Sequence, residues 1–193
     1  MSLFVLARHA QSLLNLEERV NGDPTVDVPL TERGREEALL LGEQLAHLDI
    51  DLCVTSRFPR ARETAELALA GRDVPFEVEP LLDDVRIGEL EGLSIDRYRE
   101  IKRTLGRTKP FPGGESLDDA ARRYAQAYAR LAGREARRTL VIAHEIPVRY
   151  ALNAAAGSHK LDGPPFHDIA NAVPFLFAGD ALGRAAARIE ALI

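Results

Sequence analysis

Short apolar runs punctuate this chain at Leu3 to Ala7, Asp51 to Thr55, Phe76 to Glu79, Leu140 to Ala143 and Val173 to Phe177. Each is too short for a buried helix and is bounded by polar or turn-forming residues, so the five runs predict strands. Between them the apolar positions change to helical spacing. Ala38, Leu41, Leu45 and Leu48 follow Thr31, which predicts a helix capped by that threonine. Ser116 and Asp119 form a capping box ahead of Ala120, Tyr124, Ala127, Tyr128 and Leu131. Pro147 suits the first turn of a helix running to about Ala156, where Gly157 can end it. The alanine-rich tail Ala181 to Ile193 fits either a helix or a last strand. Strands alternating with helices predict a three-layer α/β/α fold around a mostly parallel sheet.

Two stretches break the alternation. Ala10 to Pro29 joins the first strand to its helix by an unusually long connection, and such connections tend to be functional. Gly92 to Gly114 predicts a short helix carrying Arg97, Arg99, Lys102, Arg103, Arg107 and Lys109, a small cap or lid on the main body. A solvated helix face accounts for most of those charges, and a minority can steer an anionic substrate.

Composition narrows the function classes. A chain of 193 residues is one domain by default, with 46% hydrophobic and 28% charged residues typical of a globular protein. Its formal net charge of −5 argues against nucleic acid as a partner, since that needs a broad excess of Lys and Arg. Any basic site is therefore local. Cys53 is the single cysteine and lies inside a strand-like run, so it reads as a buried hydrophobe and no internal disulfide can form. No apolar run approaches the ~18 residues of a membrane span and no basic leader opens the chain, which predicts a cytoplasmic location. Oligomeric state has no signature here.

Candidate chemistry sits at strand ends. Arg8 and His9 follow the first apolar run, and His144 follows the fourth, so two imidazoles occupy equivalent strand termini where open α/β sheets bind ligands. Either histidine alone would read as a structural residue, and Arg8 alone as a surface charge. Together they point to phosphoryl chemistry carried by histidine. His47, His159 and His167 show no metal-ligand spacing, and a metal beside Arg8 would be repelled, so no metal and no cofactor is expected.

Six blocks in order then carry a resemblance: Leu6-Ala7-Arg8-His9-Ala10-Gln11-Ser12-Leu13-Leu14-Asn15, Pro29-Leu30-Thr31 with Gly34, Thr55-Ser56-Arg57-Phe58-Pro59-Arg60-Ala61-Arg62-Glu63-Thr64-Ala65, Gly88-Glu89-Leu90-Glu91-Gly92, Pro112-Gly113-Gly114-Glu115-Ser116 and Val141-Ile142-Ala143-His144. Across nearly its whole length the chain resembles the histidine phosphatase superfamily, the phosphoglycerate mutase-like proteins. The resemblance implies His9 as nucleophile, Arg8, Asn15, Arg60 and His144 as the phosphate pocket, and Asp84 as the general acid, with His144 also catalytic. Arg57 and Arg62 compete with Arg60, but only Arg60 falls directly before the family's small residue, Ala61. Gly113 and Gly114 read as a turn, because no Lys-Ser or Lys-Thr follows them.

Three positions depart from the pattern. Asp84 stands where the family usually has glutamate, with Asp83 and Glu89 as other candidate acids and a structural turn aspartate as the plain alternative. Ala10 and Glu145 replace the glycines that usually follow the two histidines. Ala10 matters only if the backbone there needs positive φ. Glu145 either offsets a cation of the pocket or points away and favours the helix N-terminus, the second being expected. The family's mutases carry a long insertion after the acid block, where this chain has only the segment between Gly92 and Gly114. The expectation is therefore a metal-independent phosphomonoesterase acting on a small phosphorylated metabolite. A mutase-type phosphotransferase and a non-catalytic phospho-ligand-binding protein are the alternatives.

Overall fold

The computed structural model describes residues 2 to 135 and 138 to 193. Their strands form one five-stranded sheet: β1 (Leu3–Arg8), β2 (Leu52–Thr55), β3 (Phe76–Val78), β4 (Arg138–Ala143) and β5 (Phe175–Ala178), in the order β3-β2-β4-β1-β5. The first four run parallel, and β5 pairs antiparallel with β1 at the edge.

Alternation along the strands divides the core in two, because successive side chains point to opposite faces. Val5, Ala7, Cys53, Leu140 and Ile142 pack under α2 (Glu32–Gln44) and α3 (Pro59–Ala68). Phe4, Leu6, Val54, Val141 and Ala143 pack under α5 (Leu117–Ala132), α6 (Glu145–Ala155) and α7 (Ala181–Ala191). The predicted three layers are thus present, with the central strands β1, β2 and β4 buried on both faces as parallel strands require. Cys53 is fully buried, which pushes its thiol up to about 12 and leaves it inert as a nucleophile.

Several element boundaries differ from the sequence reading for local reasons. The last strand begins at Phe175 rather than Val173, because Pro174 has no N–H for the ladder. Glu79 leaves β3 to cap a short 3-10 turn at Pro80–Leu82, its side chain accepting from the Leu81 N–H. α2 stops at Gln44, so Leu45 is its cap and Leu48 lies beyond it. The Ser116 capping box and the α6 helix with Gly157 after it stand as predicted, and the tail is helical. α4 (Ile95–Leu105) is ended by Gly106 at φ +66°, which leaves Arg107 and Lys109 outside it. Arg107 is not solvated: its guanidinium is bound to Asp118, Asp162 and the Tyr150 hydroxyl.

The long connection after β1 folds over the carboxyl ends of the strands. α1 (Leu13–Leu16) opens with a capping box between Ser12 and Asn15. Thr31 donates its backbone N–H to the Gln11 carbonyl at 3.0 Å and accepts the Gly34 N–H on its hydroxyl at 2.9 Å. A Cβ on Gly34 would stand 2.0 Å from that same Gln11 carbonyl, so only glycine lets α2 approach the chain leaving His9. We expect Gly34→Ala to cost about 1–3 kcal/mol of stability, the usual range for overpacking. Urea unfolding checks this, and an unchanged midpoint would contradict the close approach.

Candidate active site

The register of β1 on β4 builds the site. Arg8 pairs with Ala143, and the His9 N–H donates to the Ala143 carbonyl at 2.9 Å, so His9 and His144 leave the sheet side by side. Their ring centroids lie 5.2 Å apart at 64°. His9 is held at three points: its carbonyl accepts from Asn171, the next N–H donates to Thr64, and its Nδ1 lies 2.8 Å from the Ala10 carbonyl. A carbonyl only accepts, so Nδ1 bears the proton and Nε2 presents its lone pair. That nitrogen accepts from the Arg60 Nε–H at 3.0 Å.

Arg60 reaches this point because Pro59 starts α3 with a preset φ and places the arginine in the first turn, below the strand ends. Only 4% of it is exposed. Three of its other four N–H groups go to Asn21, both side chain and backbone, and to His144 Nδ1 at 3.3 Å, and its Cζ lies 4.3 Å from the Phe58 ring centre. An arginine only donates, so His144 Nδ1 is unprotonated and its Nε2 donates to the Ser56 hydroxyl at 2.8 Å. Burial, then the Arg60 charge, hold both imidazoles well below their usual pKa, so they stand neutral near pH 7. Burial likewise brings Arg60 down to about 10, against the pull of Asp84.

Asp84 faces the same cavity. One carboxylate oxygen accepts the Val85 N–H at 2.9 Å, and the other lies 3.7 Å from Arg60 and 3.6 Å from His144 Nδ1. Burial raises its pKa, with Arg60 opposing and Glu145 adding to the rise. The other acids considered separate cleanly. Asp83 is buried and bound by the Arg57 backbone and guanidinium, and Glu89 is exposed and does not line the cavity. Arg57 pairs with Asp83 and Arg62 with Glu66, both half or more exposed, which leaves Arg60 alone of the three inside.

Arg8, His9, Asn15, Arg60 and Asp84 therefore line one cavity of about 180 Å³, brought there from β1, the following connection, α3 and the loop after the Pro80–Leu82 turn. Asn15 uses its Oδ1 to accept the Ser12 N–H at 3.1 Å. His144 has no exposed surface and does not line the cavity; its Nδ1 accepts from the Arg60 guanidinium.

Glu145 corrects the sequence reading. It occupies the first turn of α6 as expected but does not point away. Its carboxylate lines the cavity, 3.4 Å from Arg8 and 2.9 Å from Arg149. Ala10 is harmless: among the described residues the non-glycines at positive φ are Glu18 and Ala172. Sequence reasoning missed Asn21, Ser56 and Arg149. Arg149 had a visible signal in its four-residue spacing from Glu145. Asn21 and Ser56 had none beyond lying in the long connection and the third block. Gly113 and Gly114 form a turn, Gly113 at φ +68° and Gly114 pressed against the Arg86 carbonyl. Among the described residues no group of three or more His, Cys, Asp or Glu side chains is placed to hold a metal ion. None of the helices described is long and apolar enough to cross a membrane.

Comparison with known proteins places this geometry. Residues 4–173 match the model of the histidine phosphatase superfamily, branch 1. A 2,3-bisphosphoglycerate-dependent phosphoglycerate mutase 2 from Gloeobacter violaceus is 40% identical over 136 residues, covering 64% of this chain and 60% of that protein. This chain thus aligns with less than two thirds of that relative. The solved structure of Bacillus stearothermophilus YhfR superposes with a TM-score of 0.79 at 26% identity, covering 93% of each chain. A mycobacterial glucosyl-3-phosphoglycerate phosphatase, solved with VO3, gives 0.74 at 26% identity over 91% of this chain and 92% of its own. With the two strand-end histidines and the buried arginine between them, the chain belongs to branch 1 of the histidine phosphatase superfamily.

Proposed function

We propose that the protein is a phosphomonoester hydrolase working through a phosphohistidine on His9, in the cytoplasm, on a small phosphorylated metabolite. The observation that carries the reading is the His9 ring: neutral, with its proton fixed on Nδ1 and its Nε2 lone pair turned to a buried guanidinium. A neutral imidazole is a competent nucleophile, and splitting one displacement into two lowers the barrier of each.

In the first step the Arg60 Nε–H leaves Nε2 for the phosphoryl oxygens, the freed lone pair attacks phosphorus, the P–O bond to the alcohol breaks, and the leaving oxygen takes the proton of Asp84. Phosphoryl transfer depends on positioning and on charge at the equatorial oxygens. Arg8, Arg60 and the Asn15 amide supply it, with His144 Nδ1 accepting from Arg60. In the second step the Asp84 carboxylate takes a proton from water, whose oxygen attacks phosphorus as the P–N bond breaks. The clamp neutralises phosphate with side chains alone, so no metal is called for.

The phosphoglycerate mutase among the relatives supports a second reading, in which a phosphorylated acid and not water resolves the phosphoenzyme. The short Gly92 to Gly114 segment, carrying α4 over the cavity as a lid, favours hydrolysis.

A panel of phosphomonoesters assayed for phosphate release with and without EDTA tests the reading. We expect release that survives chelation, its loss in His9→Ala, and a fall in kcat/KM of at least about a hundredfold in Arg60→Ala, the worth of one charge-assisted clamp. Activity lost to EDTA, or kept by His9→Ala, would overturn it.

A second set of outcomes concerns Asp84. Its raised pKa means the proton-bearing form is present below the folded pKa and lost as pH rises through it. kcat on alkyl esters should therefore be highest on the acidic side and fall as pH rises through that raised pKa. Asp84→Asn should slow alkyl esters far more than esters of activated phenols, whose leaving groups need little protonation. Equal slowing of both would move the proton donor to Glu145, the other cavity acid among those considered.

A further inference from the structure

Asp84 lies in a stretch that belongs to neither sheet nor helix, between the short turns Pro80–Leu82 and Gly88–Leu90. No ladder of strand or helix bonds fixes the backbone there. The hold comes instead from α5. The Arg123 guanidinium donates to the Leu81 carbonyl at 2.8 Å, to the Asp83 carbonyl at 3.0 Å and to the Asp84 carbonyl at 3.2 Å. Its Nε donates to one oxygen of Glu115 at 3.2 Å, and a terminal nitrogen donates to the other. All five N–H groups of the guanidinium are thereby used. The Arg123 side chain is 13% exposed and does not line the cavity, so it reaches Asp84 only through the backbone.

Glu115 closes the frame from the other side. Its buried carboxylate accepts the Arg86 N–H at 3.0 Å and the Arg86 guanidinium at 2.9 Å, and its own N–H donates to the Arg86 carbonyl at 2.9 Å. Arg123 thus grips the chain up to Asp84, and Glu115 grips it two residues beyond. The two grips are joined to each other by the Arg123–Glu115 pair, which the start of α5 brings together.

An ion pair alone would not need this layout. Three of the five bonds go to the segment from Leu81 to Asp84, and within it only Asp84 lines the cavity. Leu82 is buried in the core and Asp83 is bound by Arg57. A planar fork can serve three carbonyls and a carboxylate at once, whereas a lysine ammonium has three donors on a point charge and cannot. The Asp84 carboxylate stands 3.7 Å from Arg60 and 3.6 Å from His144 Nδ1, so its useful position is narrow. A shift of about 1 Å in a reacting group can cost about a hundredfold in rate.

We propose that Arg123 and Glu115 are positioning residues for proton transfer, a frame that aims the Asp84 carboxyl at the leaving oxygen without touching the substrate. This rests on Asp84 being the proton donor of the reaction proposed above.

Ester selectivity separates aim from fold, because a loss of folded protein slows every substrate alike. The measured quantity is kcat/KM, which covers the steps up to departure of the alcohol and leaves out the later hydrolysis. Arg123→Lys keeps a charge beside Glu115 and loses the fork. It should lower kcat/KM on an alkyl ester by about tenfold to a hundredfold, and on an activated phenyl ester by no more than about threefold. Placed on Asp84→Asn, the same substitution should slow the alkyl ester no further, because Arg123 acts only through that carboxyl. Glu115→Asp tests the other side of the frame, with the same selective loss expected, should the lysine variant fail to fold. Equal losses on both esters would overturn the proposal, as would a full further loss in the double variant. A selective loss in Asp84→Asn that neither Arg123→Lys nor Glu115→Asp shares would overturn it while leaving Asp84 as donor. No selective loss in Asp84→Asn would overturn the donor and the frame together.

Discussion

The parallel register of β1 on β4 is the constraint on which the site depends. Because Arg8 stands opposite Ala143, the residues one step past each strand are His9 and His144, and neither needs a loop to bring it to the other. A slip of one residue would turn every side chain of a strand to the opposite face. Phe4 and Leu6 would then exchange cores with Val5 and Ala7, and both layers of helices would lose their fit. The geometry of the imidazole pair is therefore secured by the hydrophobic core, far more strongly than by any contact within the pocket.

Around that pair the electrostatics are set by one buried cation. Arg60 is deprived of water and held by Asn21, two neutral imidazoles and the Phe58 face, with Asp84 as its nearest carboxylate. Burial, with its charge added, keeps His9 unprotonated, while burial raises the Asp84 pKa against that charge. Glu145 extends the arrangement outward. Its carboxylate stands between Arg8 and Arg149 and gives both a counter-charge.

Most of the fold was legible because apolar runs and helical periodicity respond to the same burial that the structure shows. The boundaries that moved did so through single residues: Pro174 delaying β5, Glu79 turning to cap, Gly106 stopping α4. Within the site, Arg8, His9, Asn15 and Arg60 stand in the ordered blocks and Asp84 just ahead of one, and all five line the cavity. What pattern alone did not disclose was depth and direction. His144 is fully buried against Arg60, a depth its place at a strand end does not show, and Glu145 reads as a helix-end acid and instead faces the cavity. Charges on α4 look alike in sequence, and only packing separates Lys102, set beside Asp162, from Arg97 and Arg103 in solvent.

The central claim is that His9 takes the phosphoryl group. Rapid acid-free quenching of the protein with a phosphorus-32-labelled monoester, followed by peptide mapping, measures it directly. The account predicts label that is labile to acid and stable to base, confined to the peptide containing His9 and absent from His9→Ala. Label on any other residue, or turnover with no labelled protein at any quench time, would contradict it.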